Sequence, residues 1–420
     1  MIELKVIKLG DVADIIGGGT PDTKNDSYWG GDVSWLTPKD LSGYESRYIS
    51  KGERNISFQG LKNSSAKMLP AGSVLLTSRA PIGYVAIAKT PLCTNQGFKS
   101  LVLKENADSE FFYYLLKNNV DYIQGMSSGS TFAEISGSQV KALEFKIPSL
   151  DMQKRIAGIL GALDDKIEVL REQNKTLEQM AQAVFQSWFV DFDIVRAKAA
   201  GIPTADICKK YHITPDVCAL FPFAFTPDNL PLGWEKIPFS EIMHIISGGT
   251  PKTTEATFWN GEIPWYSVVD APTSVYVLDT EKHITKLGLE KSPCSLLEKN
   301  TVIISARGTV GKLAIVGNAM AMNQSCYGLK FDFPYYGFLT TKQMLKLLKQ
   351  NVHGAVFDTI TKETFKTVNA LNVTISLKQA FENAVSAFFD KIYENSKQIH
   401  ALSATRDALL PKLMNGEIEV

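Results

Sequence analysis

Two stretches of this chain carry the same polar, non-catalytic side chains in the same order. Gly18-Gly19-Thr20-Pro21 and Gly248-Gly249-Thr250-Pro251 set permissive backbone beside a hydroxyl. That combination suits close approach to another backbone or a phosphate, and equally a plain tight turn. Arg79 and Arg307 each end a strand-like run and precede a turn. A guanidinium placed there could fork onto guanine O6/N7 or a phosphate, or hold a structural salt bridge. Asn95-Gln96 and Asn323-Gln324 bring amides that could read adenine or hold a loop together. Trp29, Trp35, Trp259 and Trp265 read as core packing ahead of base stacking.

Catalytic signatures find no home in the sequence. Gly308-Thr309-Val310-Gly311-Lys312 has two residues between its glycines where a phosphate loop has four. Gly17-Gly18-Gly19 lacks the spacing and the downstream acid of a dinucleotide fingerprint. The Asn/Asp-Pro-Pro-aromatic motif of amino-methyltransferases does not occur. His212, His244, His283, His353 and His400 are scattered, and the five cysteines show no CxxC spacing, which argues against a zinc site or a disulfide framework. Glu144-Phe145-Lys146 imitates half of a nuclease motif but alternates as an ordinary strand does.

The elements that position these residues are written twice. IGGGTPDTKNDSYWGGDVSW (16–35) aligns with ISGGTPKTTEATFWNGEIPW (246–265) at an offset of 230, and VLLTSRAPIGYVAI (74–87) with VIISARGTVGKLAI (302–315) at 228. Runs 73–77, 86–89, 301–305 and 313–316 are apolar, β-branched and bounded by glycine, as strands are. Runs 111–118 and 341–350 have the apolar spacing of short helices. The expected organisation is one α+β domain at 1–150, a helix at 151–192, a second domain at 232–376, and a second helix with a tail at 377–420. Between them, 193–231 contains Pro203, Pro215, Pro222, Pro227 and Pro231, which predicts an irregular linker packed on a surface by Leu220, Phe221, Phe223 and Phe225.

Both long helices carry a seam of residues alternately four and three apart, apolar except at Asn174, Asn395 and Arg406. The first has Ile156, Leu160, Leu163, Ile167, Leu170, Asn174, Leu177, Ala181, Val184 and Trp188. The second has Phe381, Val385, Phe388, Ile392, Asn395, Ile399, Leu402, Arg406, Leu409 and Leu413. Such a seam predicts a coiled coil. Paired antiparallel with Ile156 opposite Leu413, the helices bring Asn174 opposite Asn395. A shift of one heptad would leave two amides facing apolar side chains, at about 1–3 kcal/mol each. The expectation is an intramolecular antiparallel pair registered by an Asn174–Asn395 layer, a spacer of roughly 48 Å with pseudo-two-fold symmetry.

The 420 residues suffice for two to four domains, with 45% hydrophobic and 21% charged residues. No apolar run is long enough to span a bilayer, and the first residues lack a signal-peptide pattern, so a cytoplasmic protein is expected. Forty-four basic residues balance 44 acidic ones. Residues 1–150 hold 16 basic and 15 acidic groups, and 232–375 hold 14 and 12, leaving the domains at +1 and +2. Neither domain is coated in positive charge.

With the duplication and both helices in view, the chain resembles the DNA-specificity subunit of type I restriction–modification systems. GGTP…W…W, the strand–Arg–x–x–x–Gly element with Asn-Gln after it, QSWFVDFDIVRAKA (186–199) and LLPKLMNGEIEV (409–420) carry the resemblance over nearly the whole length. It implies two target-recognition domains, each reading half of a bipartite, asymmetric site in double-stranded DNA, with the helices as a ruler. It also implies a non-catalytic scaffold for two modification subunits and, where present, two restriction subunits. Those partners would use S-adenosylmethionine, ATP and Mg2+, with no cofactor on this chain. The DNA contacts it implies are Thr20, Lys24, Lys39, Arg79, Asn95 and Gln96 in the first domain. In the second they are Thr250, Lys252, Arg307, Lys312, Asn323, Gln324 and Lys362. On the residues alone, a single-chain enzyme with a cryptic site and a coiled-coil protein with no DNA role stay open.

Overall fold

The computed structural model describes residues 4–127, 133–350 and 359–418; His353 lies outside them. The chain forms two compact units, Met1–Val169 with His400–Val420, and Leu170–Ile399. Among the described residues no helix is long and apolar enough to cross a membrane.

In the first unit a five-stranded sheet runs in the order Ala13–Gly17, Lys99–Leu103, Val74–Ser78, Ile82–Ala88, Tyr48–Ile49. Only Tyr48–Ile49 pairs in parallel. Val74–Ser78 is buried end to end, which is why its sequence is a continuous run without polar alternation. A three-stranded sheet orders Arg54–Ile56, Trp29–Leu36 and Cys93–Thr94, and Lys5–Lys8 pairs with Glu144–Ile147. The second unit repeats all three. Its five strands are His244–Ser247, Cys326–Lys330, Val302–Ser305, Leu313–Val316 and Tyr276–Val277, in the same spatial order. The duplication therefore extends from motifs to topology, and the protein is α+β.

Helix Ser109–Asn118 starts where Asp108 accepts the Phe111 N–H at 2.8 Å. Its residues Phe111 to Leu116 are all buried, so it is a core helix, apolar all round. The helix expected at 341–350 begins earlier, at Pro334. Proline suits a first helical turn, and the Glu382 carboxylate accepts the free N–H groups of Tyr335 and Tyr336 at 3.0 and 3.1 Å.

The long helices run Leu150–Phe189 and Ile375–Met414, 40 residues each. Within the first unit Ile156 and Leu160 share a core with Leu413 and Met414, and Arg406 pairs with Asp164 at 2.6 Å. Within the second unit Asn174 meets Asn395, and the rings of Trp188 and Phe381 lie 5.7 Å apart. These helices bury more than a seam. Phe389, one residue beyond seam position Phe388, is fully buried because Tyr335 stacks on it at 4.2 Å. Both helices also serve as core for the domains.

The 193–231 stretch is not irregular. It forms helices Asp193–Ala199, Thr204–Tyr211 and Pro215–Ala219. Its prolines punctuate these helices: Pro203 precedes the second and Pro215 is the first residue of the third, with Thr214 capping it. Phe221 and Ile207 are buried with Trp188 and Trp234 in the second unit's core, while Phe223 stays exposed.

Candidate nucleic-acid interface

Hydrogen bonds join motifs that lie far apart in sequence. In the first domain the Thr20 hydroxyl donates to the Gln96 side-chain carbonyl. The Gly19 N–H reaches the Thr94 carbonyl at 2.9 Å, and the Trp35 indole N–H reaches the Gly19 carbonyl at 2.9 Å. The second domain repeats each bond. Thr250 donates to Gln324, Gly249 N–H to the Met322 carbonyl at 2.9 Å, and Trp265 to the Gly249 carbonyl at 3.0 Å.

The paired glycines are thereby explained. A Cβ on Gly18 would overlap the carbonyls of Thr94 and Asn95, and one on Gly248 would overlap that of Asn323. The close approach that Gly-Gly permits is to the chain's own backbone. Asn95 and Asn323 hold the same loop, their side-chain oxygens accepting from Gly97 N at 2.8 Å and Ser325 N at 3.0 Å. Trp29 stands edge-on to Trp35 at 5.1 Å, as Trp259 does to Trp265 at 5.2 Å. Trp35 and Trp265 are buried, so these rings pack the frame.

The arginines sit on the neighbouring hairpin. Ser78 N–H bonds the Gly97 carbonyl at 2.7 Å, and Ala306 N–H that of Ser325 at 2.7 Å, which docks each hairpin on its Asn-Gln loop. Thr77 fastens the turn, donating to the Pro81 carbonyl at 2.7 Å and accepting from Tyr84 N at 2.9 Å. Ser305 does the same with Thr309 and Lys312. Both hydroxyls lie at the 228-residue offset, a signal that a search for charged side chains passes over. Arg79 is half-exposed and ion-paired to Glu134 at 3.6 Å. Arg307 is exposed.

Thr20, Arg79, Asn95 and Gln96 thus converge in the first domain, as Thr250, Arg307, Asn323 and Gln324 do in the second. Lys362 joins the second cluster: two residues before it, Ile360 N–H bonds the Ala306 carbonyl at 3.0 Å. Lys312 is exposed on the Arg307 hairpin. Lys24 and Lys252 are exposed beside the tryptophans, where the Trp29 indole N–H bonds the Asp22 carbonyl and the Trp259 indole N–H that of Lys252. Lys39 is exposed and paired with Glu53 at 2.8 Å, an arrangement that raises its pKa through the Glu53 hydrogen bond. An ion pair so open to water adds little stability. Its counterpart, Val269, is 74% exposed and uncharged.

A duplicated recognition frame with differing exposed side chains defines a two-domain binding protein. Residues 1–179 and 231–379 match the family profile described as type I restriction modification DNA specificity domain. The chain is 34% identical over 429 residues to the MjaIX type I restriction enzyme specificity subunit of Methanocaldococcus jannaschii, covering 99% of this chain and 93% of that one. It is 25% identical over 472 residues to the HindI specificity subunit of Haemophilus influenzae, covering 100% of both. The type I restriction–modification S subunit from M. genitalium has a similar fold, with a TM-score of 0.54 at 16% identity over 98% of this chain and 96% of that one. The chain belongs to the type I restriction–modification DNA specificity family. Its role is DNA recognition, and it is a non-catalytic subunit.

Proposed function

We propose that the two domains read the two halves of a bipartite, asymmetric site in double-stranded DNA. Each would present its Arg hairpin and Asn-Gln loop to the major groove. The observation that supports this most is the contrast between frame and surface. The two frames share the same hydrogen bonds, while exposed positions differ, with Lys39 against Val269 and Arg79 paired to Glu134 against exposed Arg307. Two readers of different sequences need that combination.

In this reading Thr20, Asn95, Gln96, Thr250, Asn323 and Gln324 mainly set the loops. Arg79, Arg307, Lys24, Lys39, Lys252, Lys312 and Lys362 face DNA. The helical pair, registered by Asn174 and Asn395, sets the spacing between half-sites. Outward positions of 152–196 and 378–420 dock two modification subunits, and two restriction subunits join where present. S-adenosylmethionine, ATP and Mg2+ act on those partners, in the cytoplasm.

The test is a methylome of cells expressing this chain with its neighbouring modification subunit. A bipartite methyl-adenine motif is the expected result, and methylation with no such motif would overturn the reading. Methyl transfer by the purified chain alone would overturn its scaffold role.

A further inference from the structure

The duplication allows one domain to serve as the control for the other, and one difference sits beside the arginines. The bond from Ile135 N–H to the Ser78 carbonyl, 3.0 Å, has its counterpart in Ile360 N–H to the Ala306 carbonyl, 3.0 Å. Each isoleucine precedes the residue that caps a short helix, Ser136 before Gly137–Ala142 and Thr361 before Lys362–Lys366. The residue just before each isoleucine is therefore structurally equivalent. In the first domain it is Glu134, and in the second Thr359.

Glu134 is bridged backbone to backbone with Arg79. Its carboxylate lies 3.6 Å from the Arg79 guanidinium and 3.5 Å from the Lys99 ammonium. Arg79 and Glu134 are 39% and 41% exposed and line one open pocket of about 570 Å3, so both are accessible while touching each other. In the second domain the place of Lys99 is taken by Tyr327, whose ring packs edge-on against Phe365 at 5.8 Å. An acid flanked by two cations in one domain has become a hydroxyl and a ring in the other.

A carboxylate on a DNA-facing surface is repelled by phosphates and lowers non-specific affinity. It can discriminate between bases, because it accepts from an exocyclic amine, cytosine N4 or adenine N6, and repels the acceptor oxygens of guanine O6 and thymine O4. The two cations beside it keep the triad at net +1.

We propose that Glu134 is a specificity-determining residue of the first domain. It admits cytosine or adenine, and rejects guanine or thymine, on the strand beside the base that Arg79 contacts. At the equivalent position the second domain has Thr359, which carries no carboxylate. This rests on the DNA-reading role proposed above and adds the base chemistry of one position.

The experiment is selection from a random duplex library by the full complex of this chain with its modification subunit. Wild type is compared with Glu134→Thr, Glu134→Gln and Thr359→Glu. Glu134→Thr should flatten a preference of roughly 5- to 100-fold at one position of one half-site and leave the other half-site unchanged. Glu134→Gln, which keeps the side chain's shape, should relax the same position. Thr359→Glu should add a cytosine-or-adenine restriction to the opposite half-site. A bipartite site whose base preferences survive both Glu134 variants overturns the inference alone. A gain in affinity spread evenly over all sequences also overturns it, since Glu134 would then act on phosphates only. A wild-type complex that selects no bipartite site takes down the proposed function and this inference with it.

Discussion

The Asn395 side-chain N–H donates to the Asn174 side-chain oxygen at 2.9 Å, and both residues are buried, at 0% and 1% exposure. The layer is imperfect. Asn395 donates also to Gln173 at 3.3 Å, yet its own oxygen has no hydrogen-bond partner. A buried acceptor left unpaired costs stability, and a polar layer in a helical seam commonly fixes register at such a cost. Replacing Asn174 alone with Leu should lower stability by about 1–3 kcal/mol, because Asn395 loses its nearest acceptor. Replacing both with Leu should recover much of that loss while weakening the register. A double-mutant cycle by thermal unfolding measures this; additive losses would contradict it.

The seam's other polar member, Arg406, is held differently. It donates to Asp164 at 2.6 Å, with side chains 14% and 12% exposed, and Asp164 also accepts from Tyr114 at 2.5 Å. Tyr114 in turn accepts from Arg47 at 3.1 Å. Asp164→Ala should destabilise the first unit by about 1–3 kcal/mol, since the largely enclosed guanidinium loses its less exposed partner and keeps only Asp407, 2.8 Å away. Adding Arg406→Met should restore most of it. Unfolding followed by calorimetry reads both effects, and a single variant that melts like wild type would refute the expectation.

Glu382 makes the second unit pH-sensitive. Burial pushes its carboxyl up to about 6, against the opposing pull of the Tyr335 and Tyr336 N–H groups. A carboxyl raised from 4.5 binds its proton more tightly in the folded chain, so its stabilising contribution is full below about 4.5 and lost as pH rises through about 6. Relative to Glu382→Gln, wild type should lose about 2 kcal/mol between pH 4.5 and 7. A constant difference between the two across that window would rule this out.

For the arginines, the double variant Arg79→Ala with Arg307→Ala should abolish specific DNA retention yet leave assembly with the modification subunit intact. Neither guanidinium packs in a core, so the folded frame should survive. Gel shift and size-exclusion chromatography separate the two readouts, and unchanged DNA retention would mean that other side chains do the reading.

The near-neutral domains bear on affinity. With +1 and +2 on the two domains, the isolated chain should bind DNA weakly and with a shallow salt dependence. The full complex should bind more tightly and with a steeper slope. Titrations at two or more salt concentrations check this, and a tight, steeply salt-dependent complex of the lone chain would contradict it.

Periodic features were legible in the residues. The duplication, the two long helices and the Asn174–Asn395 alignment all rest on spacings that a linear sequence displays. Contacts between distant segments were not. Thr20 and Gln96 are 76 residues apart, and neither side chain announces its partner. Glu134 is not legible in the sequence, because it lies outside the 228-residue alignment and gains meaning only next to Arg79. The 193–231 helices are hidden in the sequence because five prolines signal a break, although a first helical turn tolerates proline.

The make-up of the first unit bears on synthesis. Its core needs Leu413 and Met414 against Ile156 and Leu160, and those partners leave the ribosome only after the whole of 170–399. A nascent chain therefore carries the earlier-made unit with that helix face bare, while the later-made one can close around its own segments. A message broken before codon 400 would yield a product whose second unit has all its residues and whose first leaves Ile156 and Leu160 without Leu413 and Met414. The architecture thus ties completion of the first unit's largest core to completion of the chain.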